Sequence, residues 1–199
     1  MPTAIKHLTE FPKSIDERVE ELSRGRTQLL QEIDAAKTAG ASESNAWSLA
    51  EVVYHLHLSE RSIARMLKKA LNSTTRSTAP GAEQLHAEWE LIRELIGTRQ
   101  AKVQAPPGVV PANAPDLAEG VELLRQSRQQ LLDAVQNATK GDLLSVSMPH
   151  PLRAVGNLTG AGWLSVVAYH ELRHAEQIQK LSAASKLRDV HPRTHERIV

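Results

Sequence analysis

In the segment Tyr169-His170-Glu171-Leu172-Arg173-His174-Ala175-Glu176-Gln177-Ile178, two histidines stand four residues apart. On a helix, at about 100° per residue, that spacing places the imidazoles one turn apart and within about 40° of each other. Both interrupt an apolar stripe set by Trp163, Val167, Ile178 and Leu181, so both rings are expected to point inward. Burying imidazole nitrogens costs desolvation energy unless something pairs with them, and a metal ion is an efficient partner for neutral imidazole. Zinc-binding helices use the same i, i+4 arrangement. The spacing also arises by chance, and a pair of hydrogen-bonded core or surface histidines is the plainer alternative. Gln177 shares this face and is a weak catalytic candidate: it orients a ligand or bonds a bound water, or it only packs.

Two ligands hold a metal poorly, so a third is sought on another helix. The chain has no Cys, which leaves His, carboxylate and water as donors. His55 and His57 lie on opposite flanks of one helix, each roughly 100° from its apolar centre, and periodicity does not choose between them. Glu60 falls near the middle of that apolar stripe and is the second weak candidate. It reads as a buried base or an acceptor for an imidazole N–H, or as a carboxylate that reaches solvent. Trp47 reads as a core plug at the helix start ahead of a substrate platform, His150 as a loop residue that caps a helix or, second, lines the mouth of the pocket, and His7, His86, His191 and His195 as surface residues. A competing metal chemistry is a ferritin-like di-iron site, because Glu83-xx-His86 and Glu171-xx-His174 match its Glu-x-x-His element, with Glu51 and Glu122 as the remaining carboxylates. Against it, Glu83 closely follows Pro80-Gly81 and suits the acidic first turn of a helix, and His170 would have no role.

These residues need helices to carry them. Ser14 with Glu17, Ser48 with Glu51 and Asp116 with Glu119 are N-terminal capping signals, each followed by apolar residues at three- and four-residue intervals. They predict long helices over residues 14–40, closed by Gly40, over 48–72 and over 116–136. Residues 83–100 suggest a shorter crossing helix, and Trp163 to Leu181 lie on a last long helix over 159–184. Pro80-Gly81 marks a loop, the prolines at 106, 107, 111 and 115 an extended crossover, and residues 137–157 a further loop. No strand-like alternation is visible. The pattern is all-α: four long amphipathic helices in a four-helix bundle with one long crossover, plus a short extra helix.

Composition narrows the class. The 199 residues suit one domain spanning 1–199, with a core over 14–184 and a charged, loosely attached tail over 185–199. Twenty-four basic against 23 acidic residues give a net charge of +1, which offers no field to attract nucleic acid or an anionic membrane. The N-terminus lacks the basic and apolar regions of a secretion signal, and no run of about 18 apolar residues occurs. A cytoplasmic location is expected.

The run Trp47-Ser48-Leu49-Ala50-Glu51-Val52-Val53-Tyr54-His55-Leu56, followed late in the chain by His170-xxx-His174-xx-Gln177-Ile178, resembles the DinB superfamily, the DinB/YfiT-like metalloenzymes. The resemblance includes His150-Pro151, Gly156 and Ala105-Pro106, and spans residues 14–181. It implies up-down-down-up helix connectivity and one divalent metal held by His55, His170 and His174, with His57 outside the site. Zinc or nickel is the expected ion, ahead of iron or manganese. The resemblance further implies a small-molecule substrate and a hydrolase, a thiol S-transferase or a thiol-dependent isomerase using a low-molecular-weight thiol. The alternative is a non-catalytic metal-binding module of a stress response. A homodimer is expected on the self-complementarity of bundle faces.

Overall fold

The computed structural model describes residues 11–12, 14–37, 47–97 and 104–190, with side chains as far as residue 183. Gly40, His7, His191, His195 and the end of the expected tail lie outside the described residues. The chain is mostly helical, with one small sheet. Among the described residues no helix is long and apolar enough to cross a membrane.

The capping signals act where the sequence puts them. Helix α1 (Ile15–Ala36) starts at Ser14, whose Oγ accepts from the Glu17 amide at 3.1 Å. Helix α2 (Leu49–Asn72) starts with a reciprocal box: Ser48 Oγ accepts from the Glu51 amide, and the Glu51 carboxylate accepts from the Ser48 amide at 2.7 Å. Helix α3 (Ala82–Ile92) follows the loop at 73–81 and passes into a π-helical turn, Arg93–Gly97, where a continuous α-helix was expected. Helix α4 (Leu117–Gln136) begins at Asp116, which accepts from the Glu119 amide at 2.9 Å.

Two expectations need correction. Residues 137–157 are more than a loop: they hold a short helix, α5 (Lys140–Ser145), and strand β1 (Ser147–Pro149), which pairs antiparallel with β2 (Asn157–Thr159). Three-residue strands are too short for alternation to register in sequence, and the pairing is carried by one buried couple, Met148 opposite Leu158. The last helix, α6 (Gly160–Val190), is longer than predicted and is not amphipathic along its first part, since residues 160–169 are buried all round. It is a central helix, with α1 along one side and α3 and the π-helical turn on another, while α2 packs along α4.

Glu88 of α3 anchors the start of α6. Its carboxylate accepts from the Thr159 amide at 2.6 Å and from the Thr159 hydroxyl at 2.8 Å, and Thr159 Oγ1 accepts from the Gly162 amide. A negative charge there also suits the positive end of the helix dipole. Gly162 makes room for this contact, because a Cβ at that position would lie 2.6 Å from a Glu88 oxygen.

A closed ring of charges ties all four long helices together. Arg26 of α1 donates to Glu60 of α2 at 2.8 Å and to Glu171 of α6 at 2.8 Å. Arg128 of α4 donates to the other oxygens of the same two carboxylates, at 2.6 Å to Glu60 and 2.8 Å to Glu171. Ser127 adds a third donor to Glu60. Both carboxylates are 3% exposed, which makes these interior ion pairs. Burial pushes the pKa of Glu60 up, Arg128 pulls against that shift, and Glu171 adds to it.

Removing one partner from such a ring leaves an uncompensated buried charge, which typically costs about 3–5 kcal/mol. Arg128→Met is therefore expected to lower the free energy of unfolding by about that amount in urea titrations; a loss under about 1 kcal/mol would show that the ring behaves like an exposed pair.

Glu21 of α1 is also buried, and its Oε2 has no hydrogen-bond partner among the described residues. Burial pushes its carboxyl up to about 7, against the pull of Arg18. The folded state thus holds this proton more tightly than the unfolded chain, whose carboxyl titrates near 4.5. The stability from this group is fully present below about 4.5 and is lost as pH rises through about 7. Over that window the unfolding free energy of the wild type should fall relative to Glu21→Gln; parallel stability profiles for the two proteins would contradict this.

Candidate metal centre

α2 and α6 bring His55, His170 and His174 together. His170 Nε2 lies 3.2 Å from His55 Nε2 and 3.1 Å from His174 Nε2, and one ligand atom from each ring falls within 4.8 Å of the others. The remaining nitrogens explain the orientation. His55 Nδ1 is 2.7 Å from the carbonyl oxygen of Val109, which can only accept, so Nδ1 carries the proton and Nε2 presents a lone pair. His174 Nδ1 donates to Gln177 Oε1 at 2.9 Å, which leaves its Nε2 in the same state. A single proton on His170 Nε2 can point at only one of these two lone pairs.

A divalent cation resolves that shortage. With metal–nitrogen bonds of about 2.0–2.1 Å and tetrahedral angles, ligand nitrogens stand roughly 3.3 Å apart, close to the spacings here. Burial lowers the pKa of His55 against its bond to Val109. Burial, with His174 and His55 next in effect, holds His170 well below its ordinary value. Both rings are thereby kept neutral, the form a metal requires. The residues present fit a three-histidine metal site.

The trio sits in the wall of a cavity of about 820 Å³. Trp47 packs against the apolar core, as expected of a plug, and also lines the cavity, with its ring centroid 4.7 Å from that of His55. His150 is likewise in the wall, 5.2 Å from the Trp163 ring, and its Nδ1 accepts from the Leu152 amide within its own loop, so it caps no helix. His86 is exposed, as expected, and sits against Phe11.

His57, one flank over on α2, is buried elsewhere. Its Nδ1 donates to the Leu123 carbonyl at 2.8 Å and its ring stacks on Tyr54. Glu60 is buried, but its partners are two arginines and a serine, so it neither accepts from an imidazole nor reaches solvent. Gln177 Oε1 accepts from His174 Nδ1, so Gln177 can orient that ring. The di-iron arrangement is ruled out by position. Glu83 and His86 are exposed, Glu51 caps α2, Glu122 pairs with Arg125 on the surface of α4, and Glu171 faces the arginines. Sequence reasoning missed Val109, because a backbone carbonyl has no residue-type signature. The only available signal is the prolines at 106 and 107, which open the 3-10 turn Pro107–Val109.

Alanine at His55, His170 or His174 is expected to abolish metal retention through gel filtration, measured by elemental mass spectrometry, while His57→Ala retains it. Gln177→Leu, which removes the acceptor at His174 Nδ1, should weaken metal affinity about 10–100-fold. Equal metal content in His55→Ala and His57→Ala would show that the trio is not the site.

No curated protein and no solved structure gives a significant match to the chain. The sequence pattern of the DinB superfamily matches residues 27–178, a stretch that contains α2, α4, all three histidines and Val109. That match covers well over half of the chain, and the protein belongs to the DinB superfamily.

Proposed function

We propose that this protein is a metal-dependent enzyme, a thiol S-transferase or hydrolase acting on a small molecule, with His55, His170 and His174 as ligands. The observation that carries this reading is the convergence of three Nε2 atoms on one point in the wall of a substrate-sized cavity. A divalent metal bound there would activate a water or a thiol by lowering its pKa, and zinc or nickel suits neutral imidazole donors. The chain's own residues do the positioning. Val109 and Gln177 hold the protons on the outer nitrogens of His55 and His174, burial keeps His55 and His170 uncharged, and Trp47 covers one side of His55. Three protein ligands would leave further coordination positions for water or substrate, which favours a catalytic site over a closed structural one. The packing of α1 on α6 and of α2 on α4 supports an up-down-down-up four-helix bundle as the frame.

The test uses protein purified without an affinity tag, assayed for bound metal and then substituted with cobalt. Adding glutathione, bacillithiol or mycothiol is expected to produce a thiolate-to-cobalt absorption band with at least one of them. An unchanged spectrum with all three removes the transferase reading. If hydrolysis of ester and amide panels is also absent, the non-catalytic metal-binding module replaces the enzyme.

A further inference from the structure

His150 lies in the wall of the cavity, outside the histidine trio. It directly follows β1, and contacts fix both its backbone and its ring. Its amide donates to the Gly156 carbonyl at 2.8 Å, its Nδ1 accepts from the Leu152 amide at 3.1 Å, and its ring lies 5.2 Å from that of Trp163. Trp163 is held in turn, because its indole N–H donates to the Met148 carbonyl. An amide N–H can only donate, so Nδ1 carries no proton and the neutral ring carries it on Nε2. This is the opposite tautomer to that of His55 and His174, whose Nδ1 atoms donate. Among the described residues Nε2–H of His150 has no hydrogen-bond acceptor.

We infer that His150 determines specificity: its Nε2–H donates to a carbonyl oxygen of a substrate whose apolar body lies in the cavity between this ring and the histidine trio. Trp163, against which the ring rests, precedes His170 by seven residues on α6, a rise of about 10 Å, so a small molecule of that length spans both. Val166 stands between them on α6, and Ile63 and Met66, about two and three turns along α2 from His55, also line the cavity. Burial lowers the pKa of His150, and its Nδ1 lone pair is taken, so the donor is uncharged. It suits a neutral acceptor, whereas an anion at the same point would lose hydration with no counter-charge from this ring. A purely hydrocarbon ligand would strip water from Nε2–H and leave it unpaired. A donor fixed before the ligand arrives also loses little freedom on binding.

This inference rests on the cavity being the substrate site of the proposed enzyme, but its test needs neither turnover nor metal. 4-Phenylbutan-2-one and 2-methyl-4-phenylbut-1-ene share one shape and differ by a carbonyl oxygen against a methylene. Their binding to the full-length chain is measured by equilibrium dialysis, after chelator treatment and again after zinc loading. Two substitutions separate the roles of the ring nitrogens. His150→Asn keeps an acceptor near Nδ1 for the Leu152 amide, since Asn side chains bond the backbone two residues on, but has no donor at the Nε2 position. His150→Gln keeps an amide donor near Nε2 and gives up the acceptor. The ketone-to-alkene affinity ratio should fall about fivefold in His150→Asn, the scale of one net hydrogen bond, and return in His150→Gln. Circular dichroism checks that both variants are folded. If they do not fold, the Nε2–H proton resonance of His150 in the wild type serves instead: it should move downfield with the ketone and not with the alkene.

No binding of the ketone up to its solubility, a ratio unchanged in His150→Asn, a ratio that falls equally in both variants, or a resonance that the ketone does not move downfield would overturn the inference. An unchanged ratio would mean that His150 serves only its own turn. The two readings fail separately. Discrimination between ketone and alkene in a chain that holds no metal sinks only the metal enzyme, and a metal-loaded chain without it sinks only the role of His150.

Discussion

The ring formed by Arg26, Glu60, Arg128 and Glu171 is the constraint on which the rest of the molecule depends. Each carboxylate gives one oxygen to each arginine, so every charge of the ring has its partners within the ring. Compared with a well-packed apolar layer, buried ion pairs add little net stability, because desolvation offsets most of the attraction. What the ring contributes is orientation. Apolar side chains tolerate a helix rolling by a few tens of degrees, whereas four forked hydrogen-bonding groups have one arrangement in which all are satisfied. Since each long helix donates one member, the rotation of every helix about its axis is set together.

That rotation carries directly into the histidine trio. Glu171 is adjacent to His170 and three residues before His174, and Glu60 is five residues after His55. With Glu171 held by the arginines, α6 must present His170 and His174 toward α2. With Glu60 held by the same arginines, α2 must present His55 and turn His57 toward α4, where the Leu123 carbonyl receives it. The outer nitrogens of His55 and His174 are then fixed by oxygens of two kinds, a main-chain carbonyl from the proline-rich connection and a side-chain amide one turn along α6. Carbonyl acceptors behind imidazole ligands set the tautomer and the ring plane, so the lone pairs are aimed before any ion arrives.

The cavity follows from the same frame. Residues 104–116, ahead of α4, place Val109 behind His55, while the loop between β1 and β2 brings His150 and Leu152 into the cavity wall. The small sheet, invisible as a pattern, matters because its buried Met148–Leu158 couple holds that loop against the start of α6, and Met148 also accepts from the Trp163 indole.

Much of this was legible in the amino-acid order alone. The helix starts at Ser14, Ser48 and Asp116 follow from contacts made within three residues. The pairing of His170 with His174 follows from helix geometry, and Gln177 from its place on the same turn. All of these are local relations, fixed by the period of the backbone. The choice of His55 over His57, the partners of Glu60 and Glu171, the exposure of His150 to the cavity and the role of the Val109 carbonyl were decided only by tertiary structure. Each depends on groups between 34 and 145 residues apart in the chain, or on which of two flanks a packed helix turns inward. Hydrophobic periodicity sets which face is buried but not which neighbour it meets. On a helix as thoroughly buried as the first part of α6, it does not even set the face.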